Sequence, residues 1–179
     1  MNKIRLKDKE FKPFITSEKI QAAIDQMAQK MNQDMNEDQT PLFISILNGS
    51  FMFTADLIKR VKFDCEISFL KLASYQGDSS TGKVKQLVGI NEQVEGRTII
   101  VLEDIVDTGL TLVEIKKQLA ALNPKEVKIA TLLLKPEAYH NEIPLDYVGI
   151  EIPNDFIVGY GLDYDGLGRN YPDIYSVVK

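Results

Sequence analysis

The residue types best suited to chemistry lie between positions 103 and 111. Glu103 and Asp104 are adjacent carboxylates, and the string Asp107-Thr-Gly-Leu-Thr111 follows two residues later. The string supplies two hydroxyls, a glycine that permits close backbone approach and amides that open a helix, which together favour a phosphate monoester. The two acids would repel a phosphate. We therefore expect them beside it, on neutral hydroxyls or on a hard cation such as Mg²⁺, which prefers oxygen ligands.

The elements around this string must bring it to the edge of a sheet. Residues 99–102 form a short apolar run, which predicts a strand buried on both faces of a parallel sheet. Apolar residues at helical spacing follow Thr111 to about Leu122, where Asn123-Pro124 stops the helix. Ligands of open α/β sheets bind at the carboxyl ends of such strands. A lone acidic pair is more often a solvated turn, so it is the whole string that predicts a site for a phosphate, vicinal hydroxyls and a metal-bound second anion.

Composition restricts the class of protein. The 179 residues are 44% hydrophobic and 26% charged, which predicts one ordinary globular domain over 1–179. The net charge of −5 argues against a nucleic-acid or anionic-membrane surface, and no signal peptide or membrane span is expected. Cys65 is the one cysteine, which excludes a disulfide framework and favours the cytoplasm. His140 is the one histidine, which excludes a histidine-based metal cluster.

The remaining chain alternates strand and helix patterns between polar turns. Residues 1–15 are expected to form an irregular arm, and Thr16 or Ser17 to cap a helix that runs to about Met35. A second predicted helix, from 51 to about 60, follows the turn Asn48-Gly49-Ser50. The other predicted strands are 42–47, 64–74, 84–90, 127–134, 147–153 and 174–178.

Residues 101–112, Val-Leu-Glu-Asp-Ile-Val-Asp-Thr-Gly-Leu-Thr-Leu, resemble the phosphoribosyl-pyrophosphate motif of type I phosphoribosyltransferases. The sequence of the motif is most similar to that of the hypoxanthine (hypoxanthine-guanine) phosphoribosyltransferases, and the resemblance spans roughly residues 40–170. It implies an α/β fold with a central, mostly parallel twisted sheet flanked by helices. It further implies a core over roughly 40–150 and a small hood built from the chain termini, namely the N-terminal arm and roughly 151–179.

The same resemblance implies an activity and its site residues. The activity is transfer of the 5-phosphoribosyl group from phosphoribosyl pyrophosphate to N9 of hypoxanthine, and also of guanine, with Mg²⁺ as cofactor. Asp107 would accept the proton from the base, and Glu103, Asp104 and Asp163 would serve the metal. Substrate contacts are implied for Asn48, Gly49, Ser74, Tyr75, Glu103, Asp104, Thr108, Gly109, Leu110, Thr111, Lys135, Phe156, Ile157, Asp163 and Arg169.

The resemblance gives several of these positions a specific role. The family often has Lys or Arg where Asn48 stands, so the Asn48-Gly49 turn is expected to hold the diphosphate through backbone amides alone. Residues 75–83 are expected to form a lid over the reacting groups. Lys135 would donate to the 6-oxo group of the base and Phe156 would stack on its ring. Backbone groups near Ile157 and Asp163 would read its edge, and Arg169 would reach the diphosphate.

Two other functions fit the same residues. One is a sister transferase that prefers xanthine, and the other is a non-catalytic nucleotide-sensing regulator on the same fold. The absence of a Lys/Arg-rich helix from the sequence argues against the nucleic-acid binding that some relatives show. Because family members are usually dimers or tetramers, a homodimer or homotetramer is expected.

Overall fold

The computed structural model describes residues 2–35, 40–73 and 85–178. In these ranges lie three helices and ten strands, which are, in chain order, β1 (Ile4–Leu6), β2 (Lys9–Ile15), α1 (Ser17–Asp34), β3 (Leu42–Ile46), α2 (Phe51–Ile58), β4 (Glu66–Ala73), β5 (Lys85–Val88), β6 (Thr98–Val106), α3 (Leu110–Ala120), β7 (Glu126–Leu134), β8 (Tyr147–Glu151), β9 (Ile157–Val158) and β10 (Ile174–Val177). Among these described residues, no helix is both long enough and apolar enough to cross a membrane.

A six-stranded sheet forms the centre of the fold, in the order β5-β4-β3-β6-β7-β8. Five of its strands are parallel, and β5 pairs antiparallel with β4 at one edge. The predicted α/β class with a mostly parallel sheet is therefore confirmed. The motif strand β6 lies inside the sheet between β3 and β7, as its continuous apolar run predicts.

Helices cover both faces of this sheet. Ile100 and Leu102 of β6 pack with residues of α1 and α2 on one face. Ile99 and Val101 pack with α3 on the other. Alternate residues of β6 thus belong to different halves of the core, because successive side chains of a strand point to opposite faces.

The helix α1 agrees closely with its prediction. Thr16 caps it, accepting a hydrogen bond from the Lys19 amide at 3.4 Å, and the helix ends at Asp34, within one residue of the expected Met35. Its methionine-rich stripe is core packing, since Met27 and Met31 are buried against the sheet.

A second, antiparallel sheet with the order β1-β2-β10-β9 joins the two ends of the chain. Residues 4–6 and 9–15 form its two paired strands β1 and β2, so the expected irregular arm is wrong. Leu6 and Phe11 are buried there with Val158 and Tyr175 in a small core of their own. The short length of β1 and Pro13 within β2 weaken the strand pattern in the sequence. This sheet, together with the turns between β9 and β10, forms the hood.

Candidate active site

A cleft of about 590 Å³ opens at the carboxyl ends of β3 and β6 and the start of α3. It lies where the topology of an open parallel sheet favours ligand binding. Seven of the predicted residues line it: Gly49, Glu103, Asp104, Asp107, Thr108, Leu110 and Thr111. The other predicted residues that the structure describes lie outside this lining: Asn48, Gly109, Lys135, Phe156, Ile157, Asp163 and Arg169.

The turn between β6 and α3 holds backbone amides at the cleft. Gly109 is the N-cap residue of α3 and has φ of +76°, a left-handed conformation that favours glycine. Asp107 accepts a hydrogen bond from the Thr108 amide through Oδ1, and both side chains are exposed. The amides at the start of α3 and the hydroxyls of Thr108 and Thr111 can therefore serve an anion.

Two residues that the sequence did not single out support this turn. Asn141 donates its side-chain amide to the carbonyl oxygen of Thr108. The Tyr139 ring lies against Gly109, where a Cβ would be 2.5 Å from Tyr139 Cε2. Because these contacts join the β6–α3 turn to the segment after β7, 33 positions away in the case of Asn141, no local pattern predicts them.

Glu103 and Asp104 occupy a poorly solvated place at the end of β6. Glu103 is 6% exposed, and burial, together with the charges of Asp104 and Asp107, raises its pKa well above the usual range. Burial also raises the pKa of Asp104, to about 6, although the Ile105 amide donates to its Oδ1. A bound cation or the hydroxyls of a ligand would stabilise both carboxylates.

The turn after β3 contacts the side chain of Asp104. The Leu47–Asn48 peptide bond is cis, and Asn48 precedes Gly49, which lines the cleft. A Cβ at Gly49 would lie 1.6 Å from Asp104 Oδ2, so only glycine allows this approach. Buried Ser50 anchors the end of the turn, donating to the Ile46 carbonyl oxygen at 2.6 Å.

The hood brings the side chains of Asp163 and Arg169 towards Asp104. Arg169 Nη2 is 2.7 Å from Asp163 Oδ1, and Arg169 Nη1 donates to the Gly161 carbonyl oxygen at 2.6 Å. The charge of Arg169 lowers the pKa of Asp104 and that of Asp163 raises it, although both are smaller effects than burial. The charged side chains of the hood therefore act on the carboxylate at the end of β6.

The residues expected to recognise a base lie on neighbouring elements. The Lys135 amide donates to the carbonyl oxygen of Val106, which brings the end of β7 next to Asp107. The Phe156 ring is 44% exposed and meets Tyr164 edge-on, with ring centroids 5.8 Å apart. Ile157 lies in β9, an edge strand of the hood sheet.

Comparison with known proteins identifies the family. A model of the phosphoribosyl transferase domain matches residues 15–165. The hypoxanthine-guanine phosphoribosyltransferase of Bacillus subtilis is 39% identical over 164 residues, which cover 91% of each chain. The chain belongs to the phosphoribosyltransferase family. The enzyme of the same name from Mycobacterium tuberculosis is 38% identical over 157 residues, covering 84% of this chain and 78% of that one.

A solved structure agrees with this family assignment. The crystal structure of a hypoxanthine-guanine phosphoribosyltransferase from Bacillus anthracis has a TM-score of 0.87 and 41% identity to this chain, covering 93% of this chain and 98% of that one. The predictions of a hypoxanthine-guanine family member and of the type I phosphoribosyltransferase fold, hood included, are confirmed. The division into one domain with a core over 40–150 stays a prediction, as do the roles of the site residues.

Members of this family use Mg²⁺, and the acids at the cleft suit it. Among the residues that the structure describes, no three Asp, Glu, His or Cys side chains form a ready ligand set. Mg²⁺ is usually held by one or two carboxylates together with waters and substrate phosphates. Glu103 and Asp104, crowded and poorly solvated, supply such a partial set, and Asp163 lies close enough to raise the pKa of Asp104.

Some expectations fall on parts of the chain that the structure leaves undescribed. Ser74 and Tyr75 lie outside the described residues, and so does the proposed lid over 75–83.

Proposed function

We propose that this chain joins the 5-phosphoribosyl group of phosphoribosyl pyrophosphate to N9 of a 6-oxopurine, hypoxanthine or guanine, and releases diphosphate. The products are IMP and GMP, which makes the protein a purine-salvage transferase. One observation carries the proposal: the paired acids and the Asp107–Thr111 turn meet in a single cleft at the end of the central strand. That cleft can hold a phosphate and the hydroxyls of one sugar side by side.

The 5′-phosphate end of the donor is assigned to the turn between β6 and α3. The amides opening α3 and the hydroxyls of Thr108 and Thr111 donate to the phosphate oxygens, and Gly109 allows the backbone to approach. The phosphate does not react. Its binding energy serves to place C1′ of the ribose where the bond is broken.

The ribose and the leaving diphosphate are assigned to the neighbouring acids and the hood. Glu103 and Asp104 accept hydrogen bonds from the ribose hydroxyls and, with Asp163, would hold Mg²⁺. When bound, Mg²⁺ neutralises charge on the departing diphosphate. The amides of Asn48 and Gly49 and the guanidinium of Arg169 add further donors, which stabilise the diphosphate as C1′ becomes cation-like.

The base is assigned to the side of the cleft nearest Asp107. The carboxylate of Asp107 takes the proton from N7 as N9 attacks C1′. Lys135, tied through its amide to Val106, donates to the 6-oxo oxygen. Phe156 stacks on the purine with the exposed face of its ring. The main chain of Ile157, in β9 of the hood, forms hydrogen bonds with the edge of the base.

We further propose that the enzyme works in the cytoplasm as a homodimer or homotetramer. Cys65, the one cysteine, is a free thiol, and a chain without disulfides suits a reducing compartment. Light scattering of the purified protein would give the oligomeric state.

A panel of bases tests the reaction. The protein is incubated with Mg²⁺, phosphoribosyl pyrophosphate and, in separate tubes, hypoxanthine, guanine, xanthine, adenine or uracil, and nucleotides and diphosphate are quantified. We expect IMP and GMP, with none when ribose 5-phosphate replaces the donor or EDTA removes the metal. XMP as the main product would instead support the xanthine transferase. Nucleotide formation from none of the bases would overturn the proposal, and nucleotide binding without turnover would favour the regulator.

A further inference from the structure

Tyr160 connects the hood to the second helix through a partly buried hydrogen bond. Its side chain is 2% exposed, and its hydroxyl donates to Asp56 Oδ2 at 2.5 Å across 104 positions of sequence. Asp56 belongs to α2, which begins two residues after Gly49. The bond therefore joins a turn of the hood to the helix that carries the turn expected to hold the diphosphate.

Asp56 is held as a charged acceptor by its neighbours. Gln21 donates to the same oxygen at 2.9 Å, and Lys59 lies 2.7 Å from the other. Burial alone would raise the pKa of Asp56, but the hydrogen bonds from Lys59, Tyr160 and Gln21 outweigh it and lower the pKa to about 2. An ionised acceptor makes a stronger hydrogen bond than a neutral one, so the tyrosine hydroxyl is firmly fixed.

The residue after Tyr160 touches the diphosphate turn itself. Gly161 has φ of +96°, and a Cβ there would lie 2.0 Å from the carbonyl oxygen of Gly49. Gly49 in turn lies against the carboxylate of Asp104. A continuous series of close contacts therefore runs from Tyr160 through the backbones of Gly161 and Gly49 to the carboxylate of Asp104.

The Gly161 backbone is also linked to Arg169. The Gly161 amide donates to the Arg169 carbonyl oxygen at 3.0 Å, and Arg169 Nη1 donates to the Gly161 carbonyl oxygen. Any movement of the Tyr160–Gly161 turn therefore moves both the guanidinium and the Gly49 backbone. These are the groups to which the diphosphate is assigned.

We propose that Tyr160 and Asp56 are positioning residues for the diphosphate half of the cleft. Their hydrogen bond holds Gly161 on Gly49, and it thereby sets the places of the Gly49 amide and of Arg169. The inference rests on the proposed transferase reaction. Neither residue is assigned to substrate, and Lys135, which is assigned to the 6-oxo group of the base, lies at the end of β7 and not in this turn, so we expect loss of the bond to affect the donor more than the base.

Tyr160→Phe tests the proposal because it removes one hydroxyl and keeps the ring. We expect the KM for phosphoribosyl pyrophosphate, and for diphosphate in the reverse reaction, to rise about tenfold, as loss of a hydrogen bond to a charged group would produce. The KM for hypoxanthine should stay within about twofold of the wild-type value. A merely structural role would weaken the binding of both substrates equally, or would lower only the thermal stability of the protein.

Matched variants separate the hydrogen bond from the network around it. Asp56→Asn keeps an oxygen that accepts from Tyr160 and should retain most donor affinity, whereas Asp56→Ala should match Tyr160→Phe. Tyr171→Phe removes the hydroxyl of a half-buried tyrosine elsewhere in the hood and should resemble wild type.

The outcomes decide between distinct ideas. Equal rises in both KM values, unchanged KM values, or Asp56→Asn as damaging as Asp56→Ala would overturn the positioning role. If Tyr160→Phe does not fold, the two Asp56 variants carry the same comparison. A wild-type protein that makes no nucleotide would overturn the proposed function instead, before any variant is compared.

Discussion

Gly49 and Asp104 lie closer together than any other residue type at position 49 would permit. A Cβ on Gly49 would be 1.6 Å from Asp104 Oδ2 and 2.5 Å from its Cγ. The turn after β3 and the acids that end β6 are thus in direct contact, although they are far apart in sequence. The two halves of the proposed donor site share this contact.

Gly49→Ala should therefore displace either the Asp104 carboxylate or the turn. We expect kcat/KM for phosphoribosyl pyrophosphate to fall about 100-fold, the size of effect that a misplacement near 1 Å can have. Steady-state kinetics at varied donor concentration would measure it. Gly96→Ala is the control, because nothing lies within 4 Å of the Gly96 Cβ position; its φ of +71°, which Gly49 does not share, adds backbone strain and no contact. Equal kinetics for the two variants would show that the Gly49 contact is unimportant.

Asp107→Asn should separate proton transfer from donor binding. Asp107 is exposed at the cleft, and an amide of the same shape cannot accept the proton from N7, so we expect kcat to fall about 100- to 10,000-fold. The affinity for the donor, measured by calorimetry, should change little. Asp165→Asn, an exposed acid of the hood paired with Lys7, is the control. A kcat near wild type for Asp107→Asn would exclude Asp107 from the chemistry.

Lys135→Ala should relax recognition of the 6-oxo group. Because a site built to donate a hydrogen bond rejects bases that cannot accept it, we expect kcat/KM for hypoxanthine to fall about tenfold or more while that for adenine does not. Lys128→Ala is the control, because Lys128 belongs to β7, which Lys135 follows, and it lies near Glu126 instead of the cleft. Discrimination between the two bases is the measurement. An unchanged ratio would contradict the role given to Lys135.

The sequence was informative where one short segment contains a whole functional unit. Residues 99–112 include a buried strand, its terminal acids and the start of a helix, so their arrangement follows from local patterns. Of the hood strands, 174–178 was predicted, whereas β1 and β2 were missed: β1 has three residues, Pro13 interrupts β2, and β2 pairs with β10 at the other end of the chain. The contacts of Asn141 with Thr108 and of Tyr160 with Asp56 join segments 33 and 104 positions apart, and no local periodicity encodes them.

Asn141→Ala should destabilise the turn between β6 and α3, to which the 5′-phosphate is assigned. Asn141 donates to the Thr108 carbonyl oxygen, and one lost hydrogen bond of about 1 kcal/mol corresponds to about a fivefold change in affinity. We expect a rise of that size in the KM for the donor, with the KM for hypoxanthine unchanged. His140→Ala, at the exposed neighbouring position, should have no effect. If both variants behave alike, the Asn141 hydrogen bond does not support the turn.

Asp56 should make the folded protein sensitive to acid. Hydrogen bonds from Lys59, Tyr160 and Gln21 outweigh burial and lower its pKa to about 2 from the usual 3.8. A group with a lowered pKa in the folded state stabilises it above the unfolded pKa, and that stabilisation disappears as the pH falls from about 4 to about 2.

We therefore expect Asp56→Asn to lower the free energy of unfolding by about 1 kcal/mol at pH 7, allowing for solvent screening of a partly exposed group, and by almost nothing at pH 2. Urea unfolding of both proteins across this pH range measures the difference, and the other carboxylates cancel in the comparison. Asp25→Asn, which alters a mostly exposed partner of Arg60, is the control. A difference between wild type and Asp56→Asn that stays constant from pH 7 to pH 2 would show that the charge of Asp56 does not stabilise the fold.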